Sequence, residues 1–201
     1  MATVDPCTLP LVPVLNNTCV TYPLGKQIVQ VLYQEMAGAP PDLLTIAAGA
    51  DVRLATLQAA LTATTNAGVD KLFVLKNIAG AVIGKPAETK LQNNDVPYGG
   101  ERLTDSVRSV VGRIDFLVPS NNTAMNNLTA RQRPLRVWLV DEYDMVQGPI
   151  SNASLLFSGI TRAGINGAPT HREFTITYRG VREPDFAATP LAGIASVQNA
   201  A

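Results

Sequence analysis

The most constraining feature of the sequence is a strict alternation of apolar and polar residues near its C-terminal end. In the segment EFTITYR, residues 173–179, Phe174, Ile176 and Tyr178 alternate with polar or charged side chains. Successive side chains of a strand point to opposite faces of its sheet, so this pattern predicts a strand with one buried and one solvated face. Such strands are typical of antiparallel sheets.

Other segments rich in β-branched and aromatic residues predict further strands, at residues 27–33, 71–76, 81–84, 106–118, 135–141 and 154–162. We expect residues 71–76 and 81–84 to form a hairpin. Along 106–118, one face should carry Val110, Gly112, Ile114, Phe116 and Val118, with Arg113 and Asp115 opposite.

Two segments predict short helices. Leu54, Leu57 and Leu61 have helical spacing after Asp51, a good N-cap, and residues 120–130 carry Met125 and Leu128 inward. The predicted fold class is therefore mainly β, an antiparallel sandwich or barrel with one or two short helices packed on it. We expect one domain over residues 26–182, interrupted by a long polar loop at 85–104 and a polar turn at 142–148.

The two ends of the chain are predicted to be extended arms, at residues 1–25 and 183–201. Prolines at positions 6, 10, 13 and 23 exclude a helix or a central strand from the first arm. That arm is nevertheless apolar and needs burial, either against the body or against a neighbouring subunit. We favour a subunit contact, through Leu9, Leu11, Val12 and Val14. For the second arm, packing on the body and terminal disorder are both open. Pairing of Cys7 with Cys19 is also open.

The charge composition restricts the function. The chain has 16 Lys+Arg and 16 Asp+Glu, a formal net charge of zero, and only 16% charged residues. A nucleic-acid binder is expected to be basic, which this chain is not. A neutral, charge-poor chain has little self-repulsion and favours association with copies of itself. No segment predicts a membrane span or a signal peptide.

Residues that carry out catalysis or bind metal are not recognisable in the sequence. His171 is the single histidine and lies at the start of a strand, and the sequence contains no Gly-x-Ser-x-Gly nucleophile motif. Asp141, Glu142 and Asp144 do not have the spacing of a calcium loop and are better explained as a solvated turn. We therefore expect no enzymatic activity, no cofactor and no metal.

A tryptophan and an arginine are the candidate contact residues within the body. Arg136 and Trp138 share one face of the strand at 135–141, near Arg131 and Arg133, so this face is expected to expose a Trp. Arginine and tryptophan are favoured at protein interfaces, and they also stack on nucleic-acid bases. We favour a subunit contact, with Tyr98 in the long loop as a further candidate.

The order of arm, strands, helix, long loop, long strand, short helix and final strands resembles the tail tube proteins of bacteriophages. The segments RPLRVWLVDEYDMV and HREFTITYRG are also similar to parts of phage virion proteins. The resemblance implies rings, usually hexameric, that stack around a lumen conducting DNA without sequence-specific binding. It also implies location in the virion after assembly in the host cytoplasm, with other virion proteins as partners and no membrane.

Two alternatives remain open. One is another virion role, as a capsid decoration, connector or minor protein. The other is a β-sandwich module that binds carbohydrate or protein, in which Trp138, Tyr98 and Tyr143 would stack on sugar rings.

Overall fold

The computed structural model describes residues 27–44, 53–63, 71–84, 86–91, 102–115, 119–162, 170–180, 183–187 and 189–191. In this part of the chain the elements are β1 (Ile28–Glu35), α1 (Arg53–Thr62), β2 (Phe73–Leu75), β3 (Ile78–Ile83), β4 (Ala87–Leu91), β5 (Arg102–Asp115), α2 (Pro119–Arg131), β6 (Leu135–Asp141), β7 (Val146–Thr161) and β8 (His171–Arg179). The predicted mainly antiparallel β fold with two short helices is confirmed. No described helix has the length and apolar character that crossing a membrane requires.

Six of the described strands close into a barrel. The order β1-β3-β5-β8-β7-β6 returns to β1 through an antiparallel pairing of β1 with β6 that runs from Ile28↔Asp141 to Glu35↔Leu135. Strand β7 is long enough to belong to two sheets, since its first half pairs with β6 and its second half with β8. Closure removes open edges from this ring of six strands, whereas β2 and β4 lie outside it, β2 paired with β1 and β4 with β5.

The pairing of β2 and β3 corrects one sequence prediction. Both strands pair antiparallel with β1: β2 pairs through Val31↔Leu75, and β3 pairs through Ile28↔Ala81. They therefore run in the same direction and form no hairpin. They are two parts of one bent strand, separated at Asn77, whose φ is 58°. Asparagine tolerates the left-handed conformation better than most residues, which allows the bend there.

Two predicted loops are partly strand. The stretch 85–104 contains β4, which pairs with β5 from Ala87↔Val107 to Leu91↔Arg102. The polar turn predicted at 142–148 ends at residue 145, because β7 begins at Val146. Strand β4 is exposed and rich in polar residues, and this composition is hard to distinguish from that of a loop. The first residues of β7, Val146 to Gly148, are buried, which the polar residues around them in the sequence did not indicate.

The barrel interior holds the first of two apolar clusters. Inward side chains of the six strands fill it, among them Val31, Val110, Val137, Phe174 and Ile176. Helix α2 contributes the buried Met125, and Leu128 packs against the same cluster. The predicted inward positions Val110 and Ile114 are confirmed, whereas Phe116 and Val118 lie outside the described residues.

The second cluster lies on the other side of β1 and β6. Leu32, Trp138 and Val140 project from these strands and are covered by Leu57 and Leu61 of α1. The leucine stripe predicted for this helix is confirmed. It packs on the outer face of β1 and β6 and buries that face. Leu43, Leu72 and Leu191 complete the cover.

The described part of the C-terminal arm packs on the body. The backbone N–H groups of Gly148, Ala187 and Leu191 donate to the carbonyls of Asp185, Val146 and Asp144, at 3.0, 2.8 and 2.8 Å. Arg53 of α1 is fully buried and donates to the carbonyls of Thr189 and Pro190 at 2.9 and 3.0 Å. Of the two possibilities for this arm, packing on the body therefore holds for residues 183–187 and 189–191.

Candidate assembly surface

The outer face of the barrel carries three exposed apolar side chains in one row, with Thr175 among them, where β3, β5, β8 and β7 lie side by side. The registers Val82↔Val111, Val111↔Thr175 and Leu156↔Thr175 place these four residues in one row across the four strands. Val82, Val111 and Leu156 have exposed fractions of 52%, 43% and 42%. We call these four residues the outer row. Four strands at a spacing of about 4.8 Å make such a row about 14 Å long.

Polar residues flank the outer row on both sides. Ser109, Thr177 and Ser154 are neighbours across β5, β8 and β7 on one side. On the other side Arg113 is paired with Glu173 across the strands, and its Nε lies 3.2 Å from Oδ1 of Asp115. The apolar surface is thus a narrow stripe one residue wide. Ile83 and Ile160 are also exposed, but their register partners Val110 and Arg172 are buried, so neither belongs to this outer face.

The outer row was not predicted from the sequence, although the sequence contains a pattern that indicates it. The outward positions read Val107, Ser109, Val111 in β5 and Ser154, Leu156, Ser158 in β7, so apolar and polar residues alternate along each outward face. A soluble monomer is expected to place polar side chains at most of these positions. Alternation within each strand shows only two faces, and the row becomes visible once the strand order is known.

Trp138 is not exposed, which corrects the predicted exposed tryptophan. Arg136 and Trp138 do share the outer face of β6, as predicted, but Trp138 has an exposed fraction of 0% because α1 covers this face. Gly148 also packs closely against this ring, since a Cβ there would come within 2.9 Å of Trp138 Cδ1. A ring enclosed by its own chain has no surface to offer to a neighbour.

The predicted basic cluster is occupied by contacts within the chain. Arg133 lies 2.8 Å and Arg131 3.7 Å from carboxylate oxygens of Glu35. Arg136 donates to Oε1 of Gln34 at 2.9 Å and to the carbonyl of Gly38 at 2.8 Å. These bonds fix the end of the β1–β6 pair. Arg136 remains half-buried, so its role as a subunit contact stays a prediction.

The remaining predicted contact residues lie outside the described residues. These are Leu9, Leu11, Val12 and Val14 of the first arm and Tyr98 of the 92–101 segment. Cys7 and Cys19 also lie outside the described residues.

The acidic cluster is a structured turn with one buried carboxylate. Asp141 is buried, and its Oδ1 accepts from the backbone N–H groups of Tyr143 and Met145 at 2.8 and 3.0 Å. Asp144 has a φ of 61°, and burial, together with the charge of Asp141, raises the pKa of its carboxyl. The turn is therefore only partly solvated. Among the described residues, no group of three or more His, Cys, Asp or Glu could hold a metal ion.

A cleft of about 470 Å³ lies beside α2, between the helix and the bend of β2 and β3. Tyr33 and Phe73 stack in its wall with ring centroids 5.2 Å apart, and Met125 of α2 and Phe157 of β7 also line it. Burial raises the pKa of Tyr33 to about 12, so this phenol stays neutral. His171 is the first residue of β8 and lies at the same end of the barrel, where its strand partner is Asp115.

Helix α2 is held to this end by a buried arginine. Arg172 donates to Oδ1 of Asn122 and of Asn126, both at 2.8 Å, and its Nε donates to the carbonyl of Ser158 at 2.8 Å. A planar guanidinium with donors in several directions suits such a position. This arrangement fixes the helix and is a structural contact between described residues.

No protein-family model matches the sequence, and no curated protein matches it. Two solved structures are similar to parts of the chain. One is the tail of an empty GTA particle with C6 symmetry, at a TM-score of 0.37 and 10% identity, covering 59% of this chain and 87% of that one. The other is the virion of a native gene transfer agent (GTA) particle, at a TM-score of 0.36 and 10% identity, covering 58% and 89%. TM-scores this low do not establish a common fold.

Proposed function

We propose that the chain is a self-assembling structural protein of a phage-type virion. The observation that carries the proposal is the outer row, an apolar stripe that the described chain leaves in solvent on an otherwise closed barrel. Exposed apolar surface with a polar rim is typical of protein interaction sites. A formal net charge of zero adds little repulsion between copies.

Within this class we propose a tail tube subunit, in rings stacked around a lumen that conducts DNA. The support is the resemblance in element order and in the segments 133–146 and 171–180 to phage tail and virion proteins. Copies of the chain, arranged in rings that the resemblance implies to be hexameric, and other virion proteins are the partners. The proposal includes neither catalysis nor a cofactor, and places the protein in the virion after assembly in the host cytoplasm.

Electron microscopy of the purified protein, combined with light scattering in solution, tests the proposal. Rings or filaments, and a mass that rises with concentration, are expected. A protein that stays monomeric at high concentration and shows neither rings nor tubes would overturn the assignment. Closed rings that never stack would favour the connector role over the tube.

A binding module is the second candidate, and the cleft beside α2 is the observation that favours it. A volume of about 470 Å³ with two stacked aromatic rings is within the range of small-molecule sites. The three aromatic residues first considered for sugar stacking give it less support, because Trp138 is buried. Binding of a glycan or another small ligand by a stable monomer, abolished by Phe73→Ala, would favour this function over assembly.

A further inference from the structure

We infer that the outer row binds the apolar N-terminal arm of a second copy of the chain. The inference rests on the proposed self-assembly and names the two surfaces that meet. One is the row Val82–Val111–Thr175–Leu156, and the other is residues 6–25.

The shape of the outer row selects an extended chain as its occupant. Packing of a second sheet requires an apolar face several rows wide, because the inner faces of both sheets interdigitate. Here a single apolar row lies between the Ser109–Thr177–Ser154 row and the Arg113–Glu173 pair. A second sheet would press these polar groups into the interface without partners, at a high desolvation cost. A single chain crossing the strands covers the row and leaves its flanks in water.

The sequence of the first arm matches this requirement. Residues 6–25 contain no charged side chain and no histidine, and Leu9, Leu11, Val12 and Val14 lie close together among Pro6, Pro10 and Pro13. A proline-rich segment favours the extended polyproline conformation, at about 3.1 Å per residue. Residues 9–14 would then span about 16 Å, enough to cross a row about 14 Å long.

Prolines also determine how the arm binds. Each proline lacks a backbone N–H, so this segment is a poor partner for a strand edge. The closed barrel offers the outer row as a face rather than as an edge. We therefore expect contact through side chains, with the arm lying across β3, β5, β8 and β7.

The base of the arm lies beside β3 of its own copy. Ile28 pairs with Ala81, the residue that precedes Val82 in β3. The carbonyl of Gln27 accepts from the N–H of Glu142 at 3.1 Å, so the base of the arm is fixed at the β1–β6 side of this pair. In an assembly, each copy would give its arm to the next copy and receive one on its own outer row, a head-to-tail contact that builds rings or filaments.

Disulfide trapping in the full-length protein tests the inference, using the native Cys7 and Cys19 as probes. The variant Leu156→Cys places a thiol in the outer row at an exposed position. After mild oxidation we expect bands at multiples of 21.3 kDa on a non-reducing gel, with the bond from position 156 to position 7 or 19 identified by mass spectrometry. Two controls are Asn127→Cys on the exposed face of α2, and Leu156→Cys combined with Cys7→Ser and Cys19→Ser. Both should give at least severalfold less of the cross-linked product.

Three outcomes overturn the inference. A 156–7 or 156–19 bond within one chain would show that the arm covers its own row. Equal trapping at position 127 would show random collision. Rings or filaments without any bond from position 156 to the arm would leave the proposed self-assembly intact and refute this contact, whereas a monomeric wild-type protein would refute the self-assembly itself.

A second measurement does not depend on cysteine chemistry. Val111→Lys with Leu156→Lys should lower the assembled fraction as much as deletion of residues 1–24 does, and the combination should add little. Two changes that remove one shared contact are non-additive, whereas changes at independent contacts add. Additive losses would overturn the inference. Because all the side chains changed are exposed, unfolding of the variants is not expected and is checked by circular dichroism.

Discussion

Gly112 shows how tightly the barrel interior is packed. It is the register partner of Phe174, and a Cβ at this position would lie 2.7 Å from Cβ of Ala81 and 2.9 Å from the Phe174 ring. Glycine is required here for close approach, since the Phe174 ring occupies the space that a side chain would take.

The substitution Gly112→Ala should therefore destabilise the fold by about 1–3 kcal/mol, the usual cost of overpacking. Urea unfolding followed by tryptophan fluorescence gives the measurement. Gly159→Ala is the matched control, because nothing lies within 4 Å of a Cβ there. Equal midpoints for Gly112→Ala and Gly159→Ala would contradict the packing described.

Asp144 gives a second prediction at the scale of a residue. Burial, followed by the charge of Asp141, raises the pKa of its carboxyl in the folded protein. A raised folded-state pKa means that the folded state binds more protons than the unfolded chain, so stability falls as pH rises through this window. Asp144→Asn removes this loss and keeps a residue that tolerates a φ of 61°.

We expect Asp144→Asn to raise stability at pH 7 by roughly a few tenths of a kcal/mol, a small value because the group is half solvated. The gain should vanish at about pH 3, below the ordinary aspartate pKa. Unfolding curves at both pH values check this, with the exposed Asp185→Asn as control. A gain that persists at low pH would assign the effect to the backbone and not to the charge.

Elements differ in how far the sequence determines them. The strand at 171–179 and both helices follow from local patterns, because one face of each is buried and the other is solvated. The β2–β3 bend and the reach of β7 across two sheets were not predicted, since they depend on which strands are neighbours. The same limit explains Trp138: alternation places it opposite Val137 correctly, but whether α1 covers that face is decided by tertiary packing.

The C-terminal segment is the element whose attachment is easiest to test. Arg53 is fully buried and bonds to the Thr189 carbonyl and hydroxyl and to the Pro190 carbonyl. Arg53→Met keeps an apolar stem but removes all three bonds, leaving partly buried acceptors on Thr189 and Pro190 without these donors. The expected cost is about 2 kcal/mol or more.

Limited proteolysis distinguishes local release from global loss of stability. In Arg53→Met we expect cleavage after residue 183 under conditions where the rest of the domain resists, because the segment loses its anchor to α1. Arg162→Met, at an exposed position, should behave as the wild type. Uniform degradation of the whole chain would show that Arg53 supports the core in general.

At the scale of the whole molecule, we expect folding and assembly to depend on different parts of the chain. The described residues from Ile28 onward supply a closed barrel and two apolar clusters. Deletion of residues 1–24 should therefore leave the thermal unfolding midpoint within a few degrees of the wild type and lower the assembled fraction strongly. Light scattering and calorimetry on the same samples give both values. A truncated protein that assembles normally would show that the arm has no part in subunit contact.

The chemistry of the contact also predicts its response to salt. Contacts between charged groups weaken as ionic strength rises, because the Debye length falls from about 10 Å at 0.1 M to about 3 Å at 1 M. Neither the outer row nor residues 6–25 carry a charge, and the chain has a formal net charge of zero. Burial of apolar surface is not screened, and sulfate strengthens it. The assembled fraction should therefore be unchanged in 1 M sodium chloride and should rise in ammonium sulfate at equal ionic strength. Disassembly in sodium chloride would indicate that charged groups beside the row, such as Arg113 and Glu173, form ion pairs between copies.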